Sequence, residues 1–154
     1  MSHGNAELAD DFRDCIACLN EHQVSFVVVG GYAVGWHGAP RATGDIDFLY
    51  EQTKGNVARL CLALRQFGAP ERLIDHKFFL PSGAVTQMGV PPLRIDLLAS
   101  VTGVTFDAIR AGAVAVELAG LRLLVIGLAE LRKNKRSTGR AKDREDLRRL
   151  RSVK

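Results

Sequence analysis

Two aspartates, two positions apart, mark the part of this chain that could do chemistry. Asp45 and Asp47 stand in a short segment that becomes apolar and ends at Tyr50. Residues i and i+2 of a strand point to the same face, so a strand here would carry both carboxylates on one side. Two such carboxylates repel each other unless a cation lies between them. A divalent metal that also binds phosphate is the simplest such cation, because Mg²⁺ is usually held by one or two carboxylates together with phosphate oxygens.

A glycine pair, Gly30 and Gly31, lies upstream of the two acids and directly after the apolar run at 26–29. At a strand-to-helix turn, glycines let backbone N–H groups approach an anion closely. Pro40 closes the short segment that follows them. This order predicts a buried strand, a glycine pair that opens a short helix, a turn, and a strand with two carboxylates on one face.

The sequence resembles the polymerase-β-like nucleotidyltransferase superfamily in its Gly-Gly-Tyr-Ala-Val at 30–34, its Pro-Arg at 40–41 and its Asp-Ile-Asp at 45–47. More narrowly, it is similar to small bacterial nucleotidyltransferases related to abortive-infection (type IV toxin–antitoxin) proteins and to minimal and antibiotic-modifying nucleotidyltransferases. The resemblance extends over about residues 25 to 147. It implies a third carboxylate on a later strand, for which Asp96 in the segment 94–98 is the candidate.

The resemblance also implies an activity and the residues that carry it. The protein would be a metal-dependent nucleotidyltransferase that moves NMP from an NTP, such as ATP, to a hydroxyl-type acceptor. Asp45, Asp47 and Asp96 would be the catalytic acids and the ligands of Mg²⁺ or Mn²⁺. The implied nucleotide- and phosphate-binding residues are Gly30, Gly31, Arg41, Thr43, Lys135, Arg140 and Lys142.

The acceptor and the partners stay open at this point. A tRNA, a protein side chain or a small molecule could receive the nucleotide, and a toxin–antitoxin pair is one biological setting. Many members of the superfamily have a larger helical domain that recognises the acceptor, and this chain stops about where that domain would begin. A homodimer or a cognate partner protein could supply the missing surface. The alternative is a catalytically silent module of the same fold that binds nucleotide, RNA or a partner protein.

The composition is typical of a soluble globular protein of one domain, residues 1–154. The chain has 47% hydrophobic and 25% charged residues. It contains no apolar run near the roughly 20 residues that span a bilayer, and its polar, acidic N-terminus resembles no targeting signal. We therefore expect a cytoplasmic protein that does not bind membranes. The three cysteines do not make a disulfide framework, and we expect core thiols at Cys15, Cys18 and Cys61.

The formal charge of +4 is unevenly distributed. The basic C-terminal helical segment, residues 132–154, contains 11 Lys or Arg and 3 Asp or Glu residues. This segment is a candidate surface for the phosphates of a nucleotide or a nucleic acid; the alternative is a solvated basic helix with nothing bound. We expect Asp143 and Asp146 to cap the last helix and to pair with basic neighbours.

Hydrophobic periodicity predicts an α+β fold with a mixed sheet flanked by helices. This is the nucleotidyltransferase fold that the resemblance implies, with short C-terminal helices. Predicted helices are 6–21, 30–38, a third one capped at Thr53 or Asn56 that ends near 67, 106–111, 128–137 and 142–151. Predicted strands are 25–29, 45–50, 78–80, 85–88, 93–99, 113–118 and 121–126, the last two as a hairpin.

Overall fold

The computed structural model describes residues 8–38, 44–151 and 153. The helices and strands, in chain order, are α1 (Asp10–Glu21), β1 (Phe26–Val29), α2 (Gly30–Trp36), β2 (Asp45–Tyr50), α3 (Lys54–Phe67), α4 (His76–Phe79), β3 (Val85–Met88), β4 (Arg94–Leu98), α5 (Phe106–Gly112), β5 (Val114–Leu118), β6 (Leu121–Val125), α6 (Leu128–Thr138) and α7 (Ala141–Leu150). A short 3₁₀ turn, Glu71–Leu73, precedes α4.

The described strands form one mixed sheet in the order β3-β4-β2-β1-β6-β5. Strand β1 is antiparallel to β2 and parallel to β6, and β2 is parallel to β4. The outer strands β3 and β5 are antiparallel to their neighbours. The predicted α+β fold, a mixed sheet flanked by helices with two short helices at the C-terminal end, is confirmed.

The centre of the core follows from the apolar pattern of the sequence. All four residues of β1 are buried, as expected for a strand covered on both faces. One face of α1 is buried through Phe12, Cys15, Ile16 and Leu19, which recur at helical spacing. Helix α3 starts at the predicted cap, where the Thr53 side chain accepts a hydrogen bond from the backbone N–H of Asn56.

The segment 78–80, predicted as a strand, is instead part of the short helix α4 and its end. The Asp75 side chain caps this helix by accepting a hydrogen bond, 3.0 Å long, from the backbone N–H of Lys77. The Phe79 ring is fully buried, whereas Phe78 is 40% exposed. A three-residue apolar run does not distinguish strand from helix, and here the cap and the one-sided burial favour a helical turn.

Three smaller features of the described residues bear on the sequence analysis. Helix α1 begins at Asp10 rather than at residue 6, and residues 6 and 7 lie outside the described part of the chain. The cysteines are free core thiols, with Cys15 and Cys61 buried and Cys18 partly buried; burial raises the pKa of the Cys15 thiol. None of the described helices is long and apolar enough to cross a membrane.

Candidate active site

The register of three neighbouring strands brings the predicted acids together. Asp47 on β2 lies opposite Val29 on β1 and opposite Asp96 on β4. Directly paired residues on neighbouring strands point to the same face, with their Cβ atoms roughly 5 Å apart. Asp45 lies two residues before Asp47 and therefore shares this face. The parallel pairing of β2 with β4 thus builds an acidic triad from segments that are about fifty residues apart in the chain.

The acidic triad has the arrangement of a metal site. One ligand oxygen from each of Asp45, Asp47 and Asp96 lies within 4.8 Å of the others, and among the described residues these three acids form the group that could hold a metal ion. Asp96 is buried, whereas Asp45 and Asp47 are partly exposed at the edge of a cleft. Hard divalent cations prefer such oxygen ligands, so the triad could hold Mg²⁺ or Mn²⁺.

The environment of Asp47 disfavours its charged form when no cation is bound. Burial is the largest cause, and the neighbouring Asp45 and Asp96 carboxylates add to it, so that the pKa of Asp47 is raised to about 7. The Lys142 ammonium acts weakly in the opposite direction. A nearby divalent cation would strongly stabilise the ionised form of a carboxyl group that is half protonated near neutral pH.

The Gly30 backbone packs directly against the Asp47 side chain. Gly30 begins α2 with φ of +71°, a conformation that L side chains rarely adopt. A Cβ atom at this position would lie 2.0 Å from Asp47 Oδ2, which is far inside van der Waals contact. Both the backbone conformation and the close approach therefore require glycine here. Gly31 follows as a buried residue of α2.

Arg94 is the charged residue of the described cleft lining that we did not predict. Its side chain is hydrogen bonded to two members of the acidic triad: Nη2 donates to Asp45 Oδ2 over 2.8 Å, and Nε donates to Asp96 Oδ1 over 2.9 Å. Arg94 lies opposite Asp45 in the β2–β4 register and two residues before Asp96, so strand alternation alone puts it on the same face as the acidic triad. The guanidinium is thus an internal counter-cation of the triad.

The triad opens into a cleft of about 620 Å³ with two unlike walls. One wall is basic and comes from α6 and the segment after it. The other is uncharged and comes mainly from β3, β4 and the loop after β4. The basic wall contains Lys135, Arg140 and Lys142, and the uncharged wall contains Val85, Gln87, Leu98, Val101 and Thr102. Gly30 and Gly31 also line the cleft.

Lys135 lines the cleft, but its ammonium group is already paired. Its Nζ lies 3.1 Å from Asp143 Oδ1 and 3.0 Å from Asp146 Oδ2. All three side chains are almost fully buried between α6 and α7. Lys135 therefore joins the two helices, and its role as a phosphate ligand stays a prediction.

Asp143 and Asp146 pair with basic neighbours as predicted, but they do not cap α7. The helix begins after Arg140 without a side-chain cap. Asp143 is buried, which by itself would raise its pKa; hydrogen bonds from Arg140, Thr138 and Lys135 outweigh that effect and lower the pKa of Asp143 to about 2. The two acids, together with Leu150, form the buried face of α7.

Arg41 and Thr43, two of the predicted phosphate ligands, lie outside the described residues, so their roles stay predictions. His37, which ends α2, is 7% exposed. Its Nε2 atom is hydrogen bonded to the backbone oxygen of Ile126 over 2.7 Å. His37 therefore anchors α2 to the end of β6.

Comparison with solved structures identifies the fold as that of nucleotidyltransferases. The chain is similar to TM1012 of Thermotoga maritima, itself a candidate nucleotidyltransferase, over 95% of this chain and 96% of that one, with 15% identity and a TM-score of 0.64. It is also similar to the lincosamide antibiotic adenylyltransferase LnuA, in its lincomycin-bound form, over 97% of this chain and 100% of that one, with 11% identity and a TM-score of 0.64. No protein-family model and no curated protein sequence matches the chain.

Proposed function

We propose that this protein is a metal-dependent nucleotidyltransferase that moves NMP from an NTP to a hydroxyl-type acceptor and releases pyrophosphate. The observation that carries the proposal is the acidic triad, with ligand oxygens within 4.8 Å of one another, beside Gly30 in a nucleotidyltransferase fold. The resemblance of the sequence to small bacterial nucleotidyltransferases supports the same activity and favours a toxin–antitoxin setting in the cytoplasm.

The donor set of the triad fits Mg²⁺ or Mn²⁺. Three carboxylates supply hard oxygen ligands. The pKa of Asp47 is raised first by burial and then by the neighbouring Asp45 and Asp96 carboxylates, and a divalent cation would offset the repulsion among the three. When bound, the metal supplies neutralisation of phosphoryl oxygens and activation of the acceptor hydroxyl. Asp45 and Asp47 would hold it from β2, and Asp96 from β4. Asp96 also lies beside Gln87 of β3, on the uncharged side of the cleft where an acceptor could enter.

The remaining cleft residues support binding and positioning of the triphosphate. Gly30 and Gly31 line the cleft with no side chain between the backbone and a ligand. Arg140 and Lys142 are exposed cations on the basic wall, and cations placed there would offset the charge of the phosphates during phosphoryl transfer. Arg41 and Thr43 belong to the same proposal on the strength of the sequence resemblance.

A second candidate function is a catalytically silent module that binds a nucleotide, RNA or a partner protein. The contact of Arg94 with Asp45 and Asp96 favours this alternative, because an internal arginine already balances part of the charge that a metal would neutralise. A silent module of this kind would bind a nucleotide without releasing pyrophosphate.

The experiment that separates the two candidates is a transfer assay with each α-labelled NTP. Purified protein is incubated with Mg²⁺ or Mn²⁺ in the presence of total tRNA and cell extract, beside the double variant Asp45→Asn/Asp47→Asn. An exposed acid on α5, Asp107, gives a matched control as Asp107→Asn.

For the transferase, we expect label on one acceptor class and pyrophosphate release with the wild-type protein and with Asp107→Asn, and neither with the double variant. Measurable NTP binding with no label on any acceptor would contradict the transferase and favour the silent module. Label transfer that survives in the double variant would show that the acidic triad is not the catalytic centre.

A further inference from the structure

The fold concentrates positive charge on the outer surface of α6 and α7. Both helices together contain two buried acids, Asp143 and Asp146, which point inward at Lys135. Around them lies a set of exposed cations that we call the basic ridge: Lys133, Arg136, Arg140, Lys142, Arg144, Arg148, Arg149 and Arg151. Glu145 is the exposed acid within Leu128–Arg151. The surface is therefore strongly basic, with eight exposed cations and one exposed acid, although Arg140 is paired with the buried Asp143 and Arg148 and Arg149 are paired with Glu145.

The basic ridge is continuous with the candidate active site. Arg140 and Lys142 belong both to the ridge and to the basic wall of the cleft that holds the acidic triad. A long polyanion bound along the ridge would therefore lead directly into the cleft. The uncharged part of the cleft lining, with Val85, Gln87 and Leu98, suits a flat, neutral group such as a nucleobase better than a second phosphate.

We propose that the basic ridge binds the phosphodiester backbone of a single-stranded nucleic acid and guides its terminal hydroxyl to the acidic triad as the acceptor. This inference rests on the proposed function and names the substrate class of the same site. Lysine and arginine contacts to phosphates supply most of the sequence-independent affinity for nucleic acids. Terminal nucleotides that are unstacked can enter a cleft, as the recognition of single-stranded ends requires.

The transfer step balances without a further reactant. The terminal hydroxyl oxygen forms a bond to the α-phosphorus of the NTP, and the bond between that phosphorus and the oxygen bridging to the β-phosphate breaks. Pyrophosphate leaves with the bonding electrons, and the hydroxyl proton is released to solvent. The product is the same strand, longer by one nucleotide and joined by a phosphodiester.

The ridge fits a nucleic acid better than a membrane surface. A membrane-bound helix needs large apolar side chains beside its cations. The large exposed apolar residues of the described chain are Leu62, Phe78, Val85, Val90 and Leu93, and none of them belongs to α6 or α7. The ridge offers many cations, one exposed acid, Glu145, and no large exposed apolar side chain among the described residues of the two helices, which is the pattern of a backbone-binding surface.

The test compares two triple variants with the same loss of charge. The ridge variant carries Lys133→Gln, Arg136→Gln and Arg151→Gln, three exposed cations that do not line the cleft. The control variant carries Lys54→Gln, Arg72→Gln and Lys77→Gln, which are exposed on α3, the 3₁₀ turn and α4. Binding of 5′-labelled single-stranded RNA and DNA oligonucleotides is measured by fluorescence anisotropy over a range of salt concentrations, and NMP addition to the same strands is measured with α-labelled NTPs.

We expect salt-dependent binding of the oligonucleotide by the wild-type protein and by the control variant. The ridge variant should bind at least about tenfold more weakly, with the slope of log affinity against log salt reduced by about two, since each lost contact contributes about 0.7 for a single strand. The ridge variant should also add NMP to the oligonucleotide more slowly. The comparison of RNA with DNA decides which of the two is the acceptor.

Equal binding by the ridge and control variants, or no binding by the wild-type protein, would overturn the inference. So would binding of anionic lipid vesicles or of poly-glutamate as tight as that of the oligonucleotide at the same salt concentration. Label transfer to a protein or a small molecule, with no oligonucleotide bound or extended, would overturn this inference and leave the transferase intact. Ridge-dependent oligonucleotide binding without transfer to any acceptor would contradict both the transferase and the acceptor role of the strand.

Discussion

Gly30 shows how closely the backbone and a side chain of the acidic triad depend on each other at the scale of single residues. We predict that Gly30→Ala displaces Asp47, because the added Cβ would lie 2.0 Å from Asp47 Oδ2, and that the left-handed backbone costs a further ~1–2 kcal/mol of stability. Gly35→Ala is a matched control in the same helix, since among the described residues a Cβ atom there would meet nothing within 4 Å beyond its chain neighbours and its own helix backbone. The thermal unfolding temperature and the Mn²⁺ affinity should both fall for Gly30→Ala and stay unchanged for Gly35→Ala.

Arg94 is predicted to act as a counter-cation that a metal partly replaces. Removing it in Arg94→Gln leaves the carboxylates of Asp45 and Asp96 without their hydrogen-bonded guanidinium, so the metal-free protein should melt at a lower temperature. Mn²⁺ should then raise the melting temperature by more than it does in the wild-type protein. The exposed Arg72→Gln is the control. A smaller Mn²⁺ effect in Arg94→Gln would show instead that Arg94 orients the metal ligands.

The pKa of Asp47 predicts the pH dependence of metal binding. A metal ligand must be deprotonated, and this carboxyl group has a pKa raised to about 7 by burial and by its acidic neighbours. Mn²⁺ affinity should therefore rise about tenfold per pH unit below pH 7 and level off above it.

The folded chain without metal holds the Asp47 proton between pH 3.8 and about 7, whereas the unfolded chain has lost it. The stability of the metal-free protein should therefore decline with rising pH in that window. Isothermal titration at several pH values, with Asp47→Asn as the comparison, checks the first expectation, and a pH-independent affinity would contradict it.

At the scale of elements, α7 packs on α6 through buried charges as well as through the apolar side chain of Leu150. Lys135→Ala would leave the buried Asp143 and Asp146 without their cation, and breaking a buried ion pair in this way costs about 3–5 kcal/mol. The exposed neighbour in Arg136→Ala should cost little. Urea unfolding measures both changes in the free energy of unfolding. If Lys135→Ala lowers that free energy by less than about 1 kcal/mol, the Lys135 ion pairs contribute no more than exposed ion pairs do.

The same cluster should make the C-terminal helices sensitive to acid. Folding lowers the pKa of Asp143 from 3.8 to about 2. The stabilisation that the ionised Asp143 contributes is therefore complete above pH 3.8 and is lost as the pH falls through about 2. Loss of helical signal in this window by circular dichroism should be smaller when Asp143 is replaced by Asn.

Local patterns are enough to predict most elements and the core of the site, and they fail where the decisive contact is non-local. Asp45, Asp47 and Gly30 lie within one short stretch, so spacing and strand alternation suffice. Arg94 could have been predicted from its position two residues before Asp96, but its contact with Asp45 depends on the β2–β4 register. The apolar run at 78–80 is wrongly predicted as a strand because its apolar character outweighs the weaker signal of the cap at Asp75.

Asp143 and Asp146 show a related failure of sequence reasoning. Their spacing with Leu150 is that of a buried helical face, but acids are seldom placed in such a face because burial of an unpaired charge is costly. The position of Lys135 on the preceding helix, which pairs with both acids, and the hydrogen bonds of Arg140 and Thr138 to Asp143 make this burial favourable. Runs of charged residues usually face solvent. The residues of the basic ridge follow this rule, whereas Asp143 and Asp146 do not.

At the scale of the whole molecule, the fold joins two features that are far apart in the sequence. The pairing of β2 with β4 brings the acidic triad to one face of the sheet, and the C-terminal helices place the basic wall beside it. The single-domain organisation predicted for residues 1–154 stays a prediction, as do the homodimer or cognate partner protein. A nucleotidyltransferase fold at 11–15% identity to its solved neighbours does not define an acceptor, because acceptors differ on one fold.

The most direct test of the account is Mn²⁺ binding followed by electron paramagnetic resonance, in the presence of NTP analogues with a non-cleavable bond between the α- and β-phosphates. We predict tight binding by the wild-type protein and by Asp107→Asn. Asp45→Asn and Asp96→Asn should each bind at least about tenfold more weakly, since perturbing a metal site commonly costs 10–100-fold in affinity. Equal Mn²⁺ affinity in the wild-type protein and in both triad variants would contradict the claim that these acids form a metal centre.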